Sequence, residues 1–170
     1  MLIAFSSATG DELIKLWKMT PSSLVPVATL SSTSDAVLTL AVRDSTAFAG
    51  HQGGVIKVWD LDTFTCVRDL RPHGHDILTL TTLGDSFYAG ASSGMVHQFD
   101  KALHLVREWQ AHVIALSSTT RMTEAGHRQL ITGGNKKVRI WHLRDGESEV
   151  AEKQPRQGGF QGEYSSAVAE

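Results

Sequence analysis

Four short phrases recur along this chain: "DELIKLWK" (residues 11–18), "GGVIKVWD" (53–60), "SGMVHQFD" (93–100) and "KKVRIWH" (136–142). Their closing aromatics, Trp17, Trp59, Phe99 and Trp141, stand 42, 40 and 42 positions apart. Internal order is kept as well as spacing. Ile14, Ile56, Val96 and Val138 share one slot, and Lys15, Lys57, His97 and Arg139 share the next. A short strand that ends on an indole cannot bury it alone, so each phrase needs a neighbour of its own kind. A period of about 40–45 residues is the length of a four-stranded sheet module that stacks on copies of itself.

The remainder of each period fills in the other strands. "AFAGHQ" (47–52), "FYAGAS" (87–92) and "LITGGN" (130–135) each run as a strand into glycine before the aromatic-ended strand. Glycine admits the positive φ of such tight turns. Upstream lie "AVLTLAV" (36–42) and "DILTLTTL" (76–83), rich in residues that favour strands; downstream lie "FTCVRDL" (64–70) and "HLVREWQ" (104–110). Four strands per period, with no long helical pattern, predict an all-β chain of antiparallel sheets. "LIAFSS" matches the second strand of a period, which gives about three and a half to four modules. With 41% hydrophobic residues, 15 glycines and 4 prolines in 170 positions, the chain is globular and turn-rich.

These phrases resemble the WD40 family, whose repeat runs from a Gly-His pair to a Trp-Asp pair. "GHDILTL" (74–80) carries the first pair, "AHVIAL" (111–116) a variant of it, and "VWD" (58–60) the second. The resemblance covers about residues 1 to 143. It implies a WD40 β-propeller, with blades ending near Trp17, Trp59, Phe99 and Trp141. Propellers have about four to eight blades, so the chain is expected to be part of a larger propeller, its ring completed by missing blades or by another chain. The family's blades hold a buried hydrogen-bonded set of His, strand Ser or Thr, turn Asp and Trp. Matched residue by residue, the first repeat offers Ser7, Asp11 and Trp17; the second, Trp59, with Ala49 and Gly53 in the other places. The third offers His75 and Ser93, with Ala89 and Phe99 breaking the set. The fourth offers His112, Thr132 and Trp141, with Asn135 in the turn. Residues 144–170 are polar and Gly/Gln-rich and read as a linker or disordered tail, in which "ESEVAEK" is a poor fourth strand or one helical turn.

The chemistry is sparse. A net charge of −2 gives no basic surface for nucleic acid. The single cysteine, Cys66, excludes an internal disulfide and fits a reducing compartment, cytoplasmic or nuclear. The apolar run Leu2–Phe5 is too short for a signal peptide or membrane span. His112 and Thr132 look like two thirds of a hydrolase triad, but a hydroxyl facing Trp inside a blade is not an exposed nucleophile, so no enzyme is expected here. His73 and His75 lack a third ligand at a metal-binding interval, and the glycine pairs at 53–54 and 133–134 lack the Lys-Ser/Thr of a phosphate loop; no cofactor is expected. Cys66, mid-strand, reads as a small buried hydrophobe. In "NKKVR" (135–139), Arg139 packs its stem and extends its charge to water, while Lys136 and Lys137 occupy a surface turn.

What remains is binding by loops. The loops entering each blade, and those between its second and third strands, would carry Arg71, His73, His51, Gln52, Asn135 and Lys136 onto one face that takes a protein or peptide partner. The resemblance implies a non-catalytic interaction scaffold. A second resemblance leaves another reading open. The wording "HGHDILTL" and "AGASSGMVHQFD" is similar to the N-terminal WD40 part of fungal subunits that join a propeller to an M20-type metallopeptidase domain in glutathione degradation. The chain would then be the accessory propeller of a larger enzyme, since no peptidase metal motif occurs in these 170 residues.

Overall fold

The computed structural model describes residues 2–6, 13–31, 35–72, 74–112, 117–122, 128–134, 137–143 and 151–152. Ser7, Asp11, His73, Asn135 and Lys136 lie outside these residues. Each period forms one meander. The first sheet is β1 (Leu2–Ser6), β2 (Leu13–Met19) and β3 (Leu24–Ser31). The second is β4 (Val37–Arg43), β5 (Thr46–His51), β6 (Ile56–Asp60) and β7 (Thr65–Leu70). The third is β8 (Ile77–Leu83), β9 (Ser86–Ala91), β10 (Met95–Phe99) and β11 (Leu105–Gln110). The fourth is β12 (Ser117–Met122), β13 (Arg128–Gly134), β14 (Lys137–Leu143) and β15 (Ala151–Glu152). Of the two forms open to "ESEVAEK", the strand is the one found: Ala151 and Glu152 pair with His142 and Trp141.

Burial follows position within the sheet. The middle strands β5 and β9 are buried from Ala47 to His51 and from Phe87 to Ala91, the unbroken pattern of strands covered on both faces. The outer strands β7 and β11 are mostly exposed. Three outer pairings slip by one residue at the same point, just before the closing aromatic: between Leu16 and Trp17, Val58 and Trp59, and Gln98 and Phe99. The residues left without a partner are Val27, Val67 and Val106, which are 42%, 57% and 59% exposed. Such bulges bend an edge strand and spoil it as a template for further pairing. The exposed valines are therefore a product of the register.

The chain divides into two compact units, Met1–Leu80 and Thr81–Glu170. In the first, Ile14, Leu16 and Leu30 of the first sheet pack with Val37, Ala47, Ala49, Trp59 and Leu61. Trp59 thus lies against the sheet that precedes it in sequence. In the second unit, Trp109, Val96, Tyr88 and Leu83 pack with Leu130 and Trp141, the two indoles meeting edge to face at 5.7 Å. Phe99, standing where the other repeats have Trp, stacks on Phe87 with centroids 4.5 Å apart. Replacing a buried Trp of this kind with Ala costs about 3–5 kcal/mol. Trp17 is the exception, only half-buried where Trp59 and Trp141 are 6% and 1% exposed.

The Asp that follows the aromatic fixes the next turn. Asp60 Oδ1 accepts from the amides of Asp62 and Thr63 (2.8 and 2.9 Å), and Asp100 Oδ1 accepts from the His104 amide (2.8 Å). These bonds favour the ionised carboxylates and hold both below the usual Asp range.

Candidate functional site

A buried, hydrogen-bonded polar set lies in the fourth repeat. Register places Thr132 of β13 opposite Arg139 of β14 and Leu130 opposite Trp141. Trp141 Nε1 donates to Thr132 Oγ1 (2.8 Å), and His112 Nε2 lies 2.9 Å from the same oxygen. Thr132 is fully buried and His112 is 5% exposed. A hydroxyl held between an indole and an imidazole, sealed from solvent, orders the interior; no substrate carbonyl can reach it. Nucleophilic catalysis needs an accessible oxygen and donors for a developing oxyanion.

The same register shows what the other repeats lack. Ala49 stands opposite Lys57, and Ala89 opposite His97, in the slot that Thr132 fills. Trp59 Nε1 is accordingly buried with no hydrogen-bond partner among the described residues. In the first repeat Phe5, not Ser7, pairs with Lys15. The first hairpin is two residues longer than the second, so counting back ten positions from Trp17 misses the slot. His75 departs from its expected buried role and is exposed. The third repeat has Ala89 in the acceptor slot, and a methyl group offers an imidazole no bond to offset desolvation.

The basic slot two residues before the aromatic finds cross-strand acids. Lys57, 8% exposed, meets Asp69 at 3.2 Å, and His97 Nε2 lies 3.3 Å from Glu108. Both pairs are direct register partners. Arg139 is half-buried, and its Nη1 donates to the Ala111 carbonyl. Cys66 is exposed, not buried. It sits on the outer strand, and Sγ donates to Asp69 Oδ1 at 3.5 Å. Desolvation, then that bond, pushes its thiol up, away from the reactive thiolate.

The loop residues expected on a binding face sort into two kinds. Gln52 and Arg71 are exposed. His51 is fully buried, with Nδ1 2.7 Å from the Asp35 carbonyl. It is the last residue of a covered middle strand, so its ring points into the sheet stack, not outward. Desolvation holds its pKa below the ordinary 6.5. Around it three loops are tied together. The Gln52 amide donates to the Ala36 carbonyl (3.0 Å), and the Gly53 amide donates to Asp76 Oδ1 (2.9 Å). Gly53 has φ 75°, a conformation natural to glycine. Exposed Asp35, Gln52, Arg71 and His75 are thus carried on loops flanking a fixed turn. Asp35 and Asp76 were not singled out in the sequence. The available signal was their place immediately before the first strands of two repeats. Among the described residues no group of three or more His, Cys, Asp or Glu could hold a metal ion, and no helix is long and apolar enough to cross a membrane.

No family model matches the chain. Among curated proteins it is similar to the probable di- and tripeptidase DUG2 of Saccharomyces cerevisiae, 23% identical over 81% of this chain and 16% of that protein. It is also similar to the APC/C activator protein CDC20 of the same yeast, 24% identical over 84% of this chain and 24% of that protein. Among solved structures, a chain of a mitotic checkpoint complex superposes with a TM-score of 0.70 at 19% identity, covering 88% of this chain and 48% of that one. The WD40 domain of Toxoplasma gondii coronin gives 0.61 at 12% identity, covering 89% and 52%. The chain therefore spans about half of either structure and under a quarter of either curated relative's length.

Proposed function

We propose that this chain, whose fold is that of the WD40 β-propellers, acts as a non-catalytic scaffold that holds protein or peptide partners on its loops. The observation that carries the reading is the tied turn at 51–54. Its backbone bonds to Ala36 and Asp76 fix the loops from which Asp35, Gln52, Arg71 and His75 reach solvent. Groups held in place before binding lose little freedom on binding, which leaves more of the contact energy as affinity. The similarity to CDC20 and to a chain of a checkpoint assembly supports a role among protein partners. The test is quantitative capture of the native partner by wild type and by the Gln52→Ala/Arg71→Ala double variant. At least about a tenfold loss is expected, equal to about 1.4 kcal/mol; equal capture removes this face from the function.

A second reading has the chain as the accessory propeller of a larger enzyme, such as a peptidase subunit acting in glutathione degradation. The match to a probable di- and tripeptidase over 81% of this chain favours it. Reading the full-length transcript decides: a metallopeptidase segment with a His-x-Asp motif supports the fusion, and further repeats alone support the scaffold.

A further inference from the structure

His51 sits where the covered interior meets the loops. It is the last residue of β5 and fully buried, while Gln52 beside it is exposed. Its Nδ1 lies 2.7 Å from the Asp35 carbonyl. A carbonyl only accepts, so Nδ1 carries the proton of the neutral ring and Nε2 is its bare acceptor. Nε2 is buried with no hydrogen-bond partner among the described residues. A second proton there makes a buried donor that is also charged, a costly state unless a partner answers it. Three charged groups act on the ring: the Lys57 ammonium opposes the second proton, and the Asp69 and Asp35 carboxylates favour it. Both oxygens of Asp69 are already taken by Lys57 Nζ, at 3.2 Å each, and Oδ1 also receives Cys66 Sγ at 3.5 Å. Asp35 is exposed, with its carboxylate beside Gly53. The other acid of the turn, Asp76, accepts from the Gly53 amide. All of these groups belong to the first unit.

We propose that the turn at 51–54 is a proton-operated latch. With His51 neutral the latch is closed and fixes the loops that carry Asp35 and Gln52. A second proton on His51 turns the ring out into water and frees the turn while the sheet beneath stays folded. The path is short, because few bonds hold this corner: the His51 amide to the Val55 carbonyl (2.8 Å), the Gln52 amide to the Ala36 carbonyl (3.0 Å) and the Gly53 amide to Asp76 (2.9 Å). Segments at strand ends open locally at less free energy than the core they join. Desolvation, which holds the ring's pKa below the ordinary 6.5, acts in the same sense. The bearing of the latch on partner capture rests on the loop-face reading. The latch itself does not, and its test needs no partner.

Amide hydrogen exchange of the 170-residue chain, followed residue by residue and corrected for its intrinsic pH dependence, tests the latch. Between about pH 7.5 and 5.5, protection of the His51 and Gln52 amides is expected to fall several-fold more than that of Phe48 and Val58, partners within the same sheet. The limit is about tenfold, which a group of ordinary pKa 6.5 reaches one unit below that value. The midpoint of the excess loss is expected to coincide with the titration of the His51 ring followed by NMR. His51→Asn keeps a donor for the Asp35 carbonyl and has no proton to gain, so it is expected to lose the excess. His75→Asn, at an exposed neighbour, is expected to keep it. Equal loss over turn and sheet means that acid opens the whole sheet, and it overturns the proposal. An excess that survives in His51→Asn, or whose midpoint departs from the His51 titration, also overturns it.

Discussion

One hydroxyl separates the environments of Trp141 and Trp59. Thr132 accepts the indole proton in the fourth repeat, while Ala49 leaves it without an acceptor in the second. Replacing either Trp with Phe removes volume, but only Trp141→Phe also removes a hydrogen bond. Trp141→Phe is expected to cost about 0.5–1.5 kcal/mol more than Trp59→Phe in urea unfolding. His51 gives a pH signature. Desolvation keeps its folded pKa below 6.5, with the Asp35 carbonyl and the Asp69 charge acting against that and Lys57 acting with it. Above 6.5 the ring is neutral in both states and pH has no leverage through it. As pH falls through 6.5 the unfolded chain takes the proton first, so stability declines until the folded pKa is reached. His51→Asn can still donate to the Asp35 carbonyl but does not titrate. Its melting temperature is expected to drop less than that of wild type between about pH 7.5 and 5.5. The repeat announced the bulky buried residues through spacing. It could not announce that His51 turns inward while His75 turns out, because both are polar residues beside glycine turns.

The elements owe their ends to register and turn chemistry. Val27, Val67 and Val106 sit on bulges at one recurring point, exposed. Replacing any of them with Lys is expected to change stability by less than about 0.5 kcal/mol, as at other exposed sites free of special roles. Lys at Ile56, fully buried, should prevent folding; a thermal melt and circular dichroism separate the two outcomes. Gly94 lies at the other extreme. Its φ is 84°, its carbonyl accepts from the amides of Ala111 and His112, and a Cβ there would run into the His112 carbonyl. Gly94→Ala is expected to cost at least about 1–3 kcal/mol in the same melt. The four-strand order and the turn glycines were readable as periodicity. The bulges were not, because a skipped partner is a relation between two strands and leaves no mark in either alone.

At the scale of the molecule, the fold is WD40 and the described residues contain no assembled catalytic constellation. Thr132 and His112 are spent on internal order, and Cys66 is held away from its thiolate form. The purified chain is expected to release no product from dipeptide or glutathione substrates above buffer. Release proportional to chain concentration would overturn the non-catalytic reading. The likeness to structures twice as long shows that the same sheet module is used in larger WD40 domains.

The sequence alone determined the module: its length, its closing aromatic, its alternation and its all-β character, since each repeats at fixed spacing and is enforced by side-chain period. Tertiary structure decided which polar members of the pattern are used. Whether an imidazole is buried depends on an acceptor that a distant part of the chain supplies, and whether an indole is covered depends on a neighbouring sheet. Thr132 meets the first condition for His112, and Ile14 and Leu16 meet the second for Trp59. Trp17 carries the same letter in the same slot and is left half-buried, because burial is a property of the neighbour as much as of the residue.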